Sequence, residues 1–316
     1  MVLIASSKRV LLSLFVSIIL AFAALFGLKP PATTPANDAH AKAPKAEVLS
    51  HTEHYLIRLE IENLTAQLLE HESLDFKLPL NPTSRNQSVQ WTVNTPTASQ
   101  KEPVTRNIKR PLAGYTSLAV PLTAPYGFSQ IDIQMAVTSV ETALAEISLD
   151  PKLRQRYLAP SRFIQSRHPD IVEQASQLRR SAASDAQQVA DIHQWVVDNL
   201  NYSGFKAQNQ GALYALTEKQ GDCTEYSYLT TALLRANGFP ARVAVGFAIA
   251  GQRILRARDL HNWVEVYLDG AWQILDPQND QLYPKFGDYV QLGIVDEANA
   301  SLGIWKNSSD RYRVSF

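Results

Sequence analysis

Gly221-Asp222-Cys223-Thr224-Glu225-Tyr226-Ser227 holds the only cysteine of this 316-residue chain. Helix formers continue from Thr224 to Ala236, with Leu229 and Leu233 on one face. Gly238 stands where such a helix takes a left-handed C-terminal residue, and Pro240 prevents its continuation. Gly221 then makes the tight turn into the helix, which puts Cys223 at or near its N-terminus. Unpaired N–H groups and the positive dipole end stabilise a thiolate there and can donate to an oxyanion.

Working outward, Arg242–Phe247 reads as a strand, and His261-Asn262-Trp263-Val264-Glu265-Val266-Tyr267 alternates as another. Asp269-Gly270 is a hairpin turn signal, and Ala271 to Asp276 forms the return strand. A two-residue loop sets Leu268 opposite Ala271, Asp276 opposite Trp263 and His261 opposite Gln278. His261 and Asp276 become diagonal neighbours on one face, with Cα atoms roughly 7–8 Å apart. A thiol attacking a carbonyl needs a base, and that base needs an acceptor to fix its tautomer. Cys223, His261 and Asp276 supply the three roles in chain order, and the chemistry they point to is acyl transfer at a thiol.

The run from Asp191-Ile192-His193-Gln194-Trp195-Val196 through Asn201-Tyr202, Gly221-Asp222-Cys223, the His261-Asn262-Trp263 strand and Trp272 to Pro277 resembles a bacterial transglutaminase-like domain. The resemblance covers about residues 150–280. It implies an α+β, papain-like core, a Cys-bearing helix packed on an antiparallel sheet. It also implies Cys223 as nucleophile, His261 as its base and Asp276 as orienter. Tyr202 and Trp195 are candidates for roles near the thiol, while Trp263 and Trp272 read as core or pocket wall.

Upstream, the pattern has period two. Tyr55, Ile57, Leu59 and Ile61 alternate with polar neighbours, as do Val89, Trp91 and Val93, and Ile131, Ile133, Met135 and Val137. Residues 48–148 are therefore expected to form a β-sandwich-like domain. After Asp150-Pro151 the period turns helical. One helix carries Ile171, Ala175 and Leu178, and a second follows Ser184 as N-cap. His193 on the second reads as structural. Residues 149–316 then make the catalytic domain with a C-terminal extension.

Lys8-Arg9 precede an apolar stretch from Val10 to Leu28, about 28 Å as a helix. The expectation is a membrane anchor over residues 1–28 with the folded part extracytoplasmic, in the periplasm; a cleaved signal with secretion is the rival reading. Residues 29–47, rich in Pro, Ala and Lys, read as a flexible linker.

Thirty basic and thirty acidic residues balance, which gives no electrostatic reason to expect nucleic acid. One cysteine and scattered histidines lack metal-ligand spacing, no calcium loop is evident, and no cofactor is implied. The expected partner is a protein or peptide amide. The alternative is a non-catalytic peptide- or protein-binding module using the same groove.

Overall fold

A computed structural model describes residues 50–76, 87–94, 116–140, 148–181, 184–206, 208–249, 251, 253–295 and 305–316. The expected anchor at 1–28 and linker at 29–47 lie outside the described residues. Among the described residues no helix is long and apolar enough to cross a membrane.

The first strands are β1 (Ser50–Asn63), β2 (Ser73–Phe76), β3 (Gln87–Asn94), β4 (Thr116–Ala119) and β5 (Phe128–Val140). β1, β3 and β5 cover the three alternating runs expected from the sequence. Tyr55, Ile57, Leu59 and Ile61 of β1 bury one face opposite Met135, Ile133 and Ile131 of β5. On the other face Arg58 donates two hydrogen bonds, both 2.9 Å, to Asp132.

Helices follow: α1 (Pro151–Leu158), α2 (Pro169–Ser181) and α3 (Asp185–Asn199). Asp150 caps α1 by accepting from the Lys152 and Leu153 N–H groups, and Ser184 caps α3 through the Gln187 N–H. The short parallel pair β6 (Asn201–Tyr202) and β7 (Gln220–Gly221) flanks α4 (Ala212–Glu218). Helix α5 (Cys223–Ala236) comes next and is buried along nearly all its length. It ends at Asn237, and Gly238 takes φ 89°.

The remaining strands are β8 (Ala241–Ala248), β9 (Ile254–Leu255), β10 (Leu260–Leu268), β11 (Ala271–Asp276), β12 (Gln281–Leu282), β13 (Tyr289–Ile294), β14 (Trp305–Asn307) and β15 (Tyr312–Ser315). One antiparallel sheet runs β12-β11-β10-β8-β13, and α5 packs on its β10 and β8. The hairpin has the register that its turn implies, from Leu268 opposite Ala271 to Val264 opposite Leu275. Asp269 and Gly270 have φ 50° and 80°, the left-handed pair of a tight hairpin turn.

The N-terminal strands do not close on themselves. A second sheet runs β15-β1-β5-β3, with β9 added in parallel to β1, and a third runs β14-β2-β4. Strands from residues 254–255, 305–307 and 312–315 thus enter sheets begun by residues 50–140. Val48–Phe316 forms one compact unit, with a continuous apolar core from Ile57 and Ile133 through Leu229 and Val264.

Candidate active site

Asp222 is the N-cap of α5. Its Oδ1 accepts from the Thr224 N–H at 2.8 Å, while Glu225 Oε2 reaches back to the Asp222 N–H at 3.3 Å. Cys223 is the first helical residue and is partly exposed. Its own N–H has no partner among the described residues, so it is free to meet an oxyanion. Gly221 is required by close approach to Glu225 more than by the turn. A Cβ at Gly221 would lie 2.2 Å from the Glu225 Cβ.

The same two carboxylates hold a loop. Asp222 Oδ2 accepts from the Lys206 N–H at 2.8 Å, and Glu225 Oε1 from the Gln210 N–H at 2.9 Å. Both side chains are almost wholly buried. Burial, with a lesser push from Asp222, raises the Glu225 carboxyl above its ordinary range against the pull of backbone donors. Tyr202, Phe205, Lys206 and Asn209 line the same cleft as Cys223, and the bonds to the Lys206 and Gln210 N–H groups fasten that side of it.

His261 comes from β10 and Asp276 from the end of β11. His261 Nε2 lies 2.8 Å from Asp276 Oδ2, and the ring donates to the carboxylate. Asn279 Nδ2 donates to the same oxygen at 2.8 Å, and so does the Tyr289 hydroxyl at 2.8 Å. The Asn279 N–H approaches Oδ1 at 3.4 Å. Burial alone would raise the Asp276 carboxyl, but the hydrogen bond and charge of His261 with the Asn279 and Tyr289 donors hold it below the usual carboxylate range.

Burial opposes a charged imidazole at His261. Asp276 and Cys223 outweigh it, each as hydrogen-bond partner and as charge, and hold the imidazole up to about 9. Because Nε2 is committed to Asp276, the ring nitrogen left for the thiol is Nδ1. A further bond ties the two elements together: Asn262 Nδ2, next to His261, donates to Thr224 Oγ1, next to Cys223, at 3.0 Å.

Cys223, His261 and Asn279 line one cleft of ≈ 1930 Å³. It is larger than a small-molecule pocket, which spans roughly 300–1,000 Å³. Of the other residues singled out from the sequence, Tyr202 lines this cleft, whereas Trp263 and Trp272 are core. Trp195 lies under the Lys219 ammonium, 4.3 Å from its ring centroid. His193 is buried on α3, its titration pulled down chiefly by burial. Tyr289, Asn279 and Asn262 were not foreseen. Asn279 had a signal, since an Asp three residues earlier before a proline invites a short capped turn.

The model of the transglutaminase-like superfamily matches residues 172–277, from α2 to just past Asp276. Uncharacterized protein ML0607 of Mycobacterium leprae (strain TN) is 28% identical over 107 residues, 32% of this chain. The match spans 37% of that curated relative's length. A cysteine protease candidate from Cytophaga hutchinsonii shares the fold, with a TM-score of 0.52 at 19% identity over 84% of this chain and 92% of its own. The periplasmic domain of TgpA from Pseudomonas aeruginosa gives a TM-score of 0.39 at 18% identity, covering 73% and 91% of the two chains.

Proposed function

We propose, from a chain whose residues 172–277 form a transglutaminase-like domain, that this protein carries out thiol-dependent acyl transfer on peptide or protein amides. The observation that carries this reading is the buried His261–Asp276 hydrogen bond with Cys223 acting on the same ring. A protonated imidazole beside a cysteine at a helix N-terminus is an arrangement suited to nucleophilic catalysis.

In this mechanism the Cys223 sulfur attacks the amide carbon, and the Cys223 N–H meets the developing oxyanion. His261 Nδ1–H protonates the departing ammonia or amine, leaving a thioester. His261, now neutral, takes a proton from water to complete hydrolysis, or from a primary amine to complete transamidation. Asp276 holds the ring throughout and stabilises its charged form.

The test is the pH dependence of Cys223 alkylation beside His261→Ala. The expected wild-type reaction stays fast at pH 6 and falls by roughly 10² in the variant. Equal rates in both proteins, rising only as an ordinary thiol ionises, would sink the catalytic reading in favour of the binding module.

A further inference from the structure

Arg253, Ile254 and residues 256–260 also line the cleft, where arginines stand among the carboxylates of Asp259 and Asp288. Arg253 is paired with Glu53. Lys206 donates its ammonium to the Tyr214 hydroxyl at 3.2 Å. Asp222 is spent on two backbone N–H groups. Asp259 Oδ2 accepts from the Arg256 N–H at 2.9 Å and helps shape the turn. Asp288 is an exposed anion at the margin shared with Arg253.

From the turn, Arg256 and Arg258 line the cleft, and both are exposed. Arg256 has no ion-pair partner among the described residues, and Arg258 Nε is 3.9 Å from Asp259 with its side chain 74% exposed. Their backbone, by contrast, is held. β9 pairs with Leu56 and Ile57 of β1, and the Ala257 N–H donates to the Phe316 carbonyl at 3.1 Å. Two arginines carried on a held stretch of backbone are suited to receive a carboxylate, because the fork geometry of guanidinium matches a carboxylate's two oxygens.

We propose that Arg256 and Arg258 select acidic peptides, binding a carboxylate of the substrate beside the amide that meets Cys223. This rests on the acyl-transfer reading for the identity of the reacting group. Arg258 precedes His261 by three residues, so its Cα lies within about 11 Å of the His261 Cα. An extended peptide advances about 3.3 Å per residue. With the reach of the arginine side chain added, the recognised carboxylate falls within about five residues of the reacting amide.

The experiment uses the full-length Cys223→Ala chain, which binds without turnover, and fluorescence anisotropy with labelled peptides. The peptides share one sequence around a glutamine. One set carries glutamate at the flanking positions and another carries glutamine there. A third keeps the glutamine flanks but ends in a free carboxylate instead of an amide. At low ionic strength the glutamate peptide should bind roughly fivefold to tenfold more tightly than its glutamine twin, a preference that salt erodes. Arg256→Gln/Arg258→Gln should bring the ratio to about one, and Arg256→Lys/Arg258→Lys should retain part of it. A preference seen with the free C-terminus alone would assign the same arginines to a chain-end carboxylate. Equal binding of both twins by the parent chain, or a preference that survives in the glutamine variant, would overturn the proposal. Cys223 alkylation involves no peptide, so loss of the acidic preference and loss of the thiol chemistry are read separately.

Discussion

Asp276 sits at 0% exposure with donors from His261, Asn279 and Tyr289 converging on one oxygen. Burial first, and then the charge of Asp276, pushes the Tyr289 hydroxyl up, so it stays a donor. The arrangement links folding to pH with a definite sign. His261 is held up to about 9, above an unfolded value near 6.5. Its contribution is complete below about pH 6.5 and is lost as pH rises toward 9. Asp276 is lowered, so its contribution is present above the ordinary carboxylate value and is lost in acid as pH falls through its folded value. The stability difference between wild type and His261→Gln should therefore be larger at pH 6 than at pH 9.5, measured by urea unfolding at both. An unchanged difference would mean that the imidazole is not held protonated.

At the scale of elements, helix α5 and the β10–β11 hairpin are joined by Asn262 to Thr224, beside His261 and Cys223. The capping box does more than start a helix, since Asp222 and Glu225 also hold the backbone N–H groups of Lys206 and Gln210. Gly221→Ala would drive a methyl against the Glu225 Cβ, breaking cap and loop anchor together. The expected cost is about 2–3 kcal/mol, from strain and a lost cap, with slower alkylation of Cys223. Thermal unfolding of the variant checks it, and a melting temperature within a degree of wild type would refute it.

These elements were readable because local chemistry fixes them. An Asp-Gly turn sets a hairpin register, and a glycine then a cap residue sets a helix start. Tyr289 was not readable. It reaches Asp276 from β13, whose pairing with β8 is decided by tertiary packing and includes a bulge between Gln291 and Gly293. Strands β12, β14 and β15 escaped for the same reason: each has two to four residues, too few for a period. β14 and β15 also find their partners some 230 or more residues away in sequence.

At the scale of the described molecule, β14 and β15 tie residues 305–315 to the strands that begin at residue 50. β15 lies on the edge of β1, with Tyr312 and Val314 buried, and Phe316 supports the turn that carries Arg256 and Arg258. Deleting residues 312–316 should lower stability by several kcal/mol through lost burial. Unfolding should remain one transition by far-UV circular dichroism and tryptophan emission alike. Two separated transitions would show that the N-terminal sheet and the helical half melt independently.

A chain with a single thiol is also its own titrant. Every equivalent of a stoichiometric electrophile consumed reports one Cys223, with no background from other cysteines. Reactive Cys223 thiols can therefore be counted in the purified protein before any substrate is known. Oxidation has equally few exits. With no second thiol in the chain, a disulfide at Cys223 can form only with another molecule, so a reductant-reversible doubling of mass would mark loss of the free thiol.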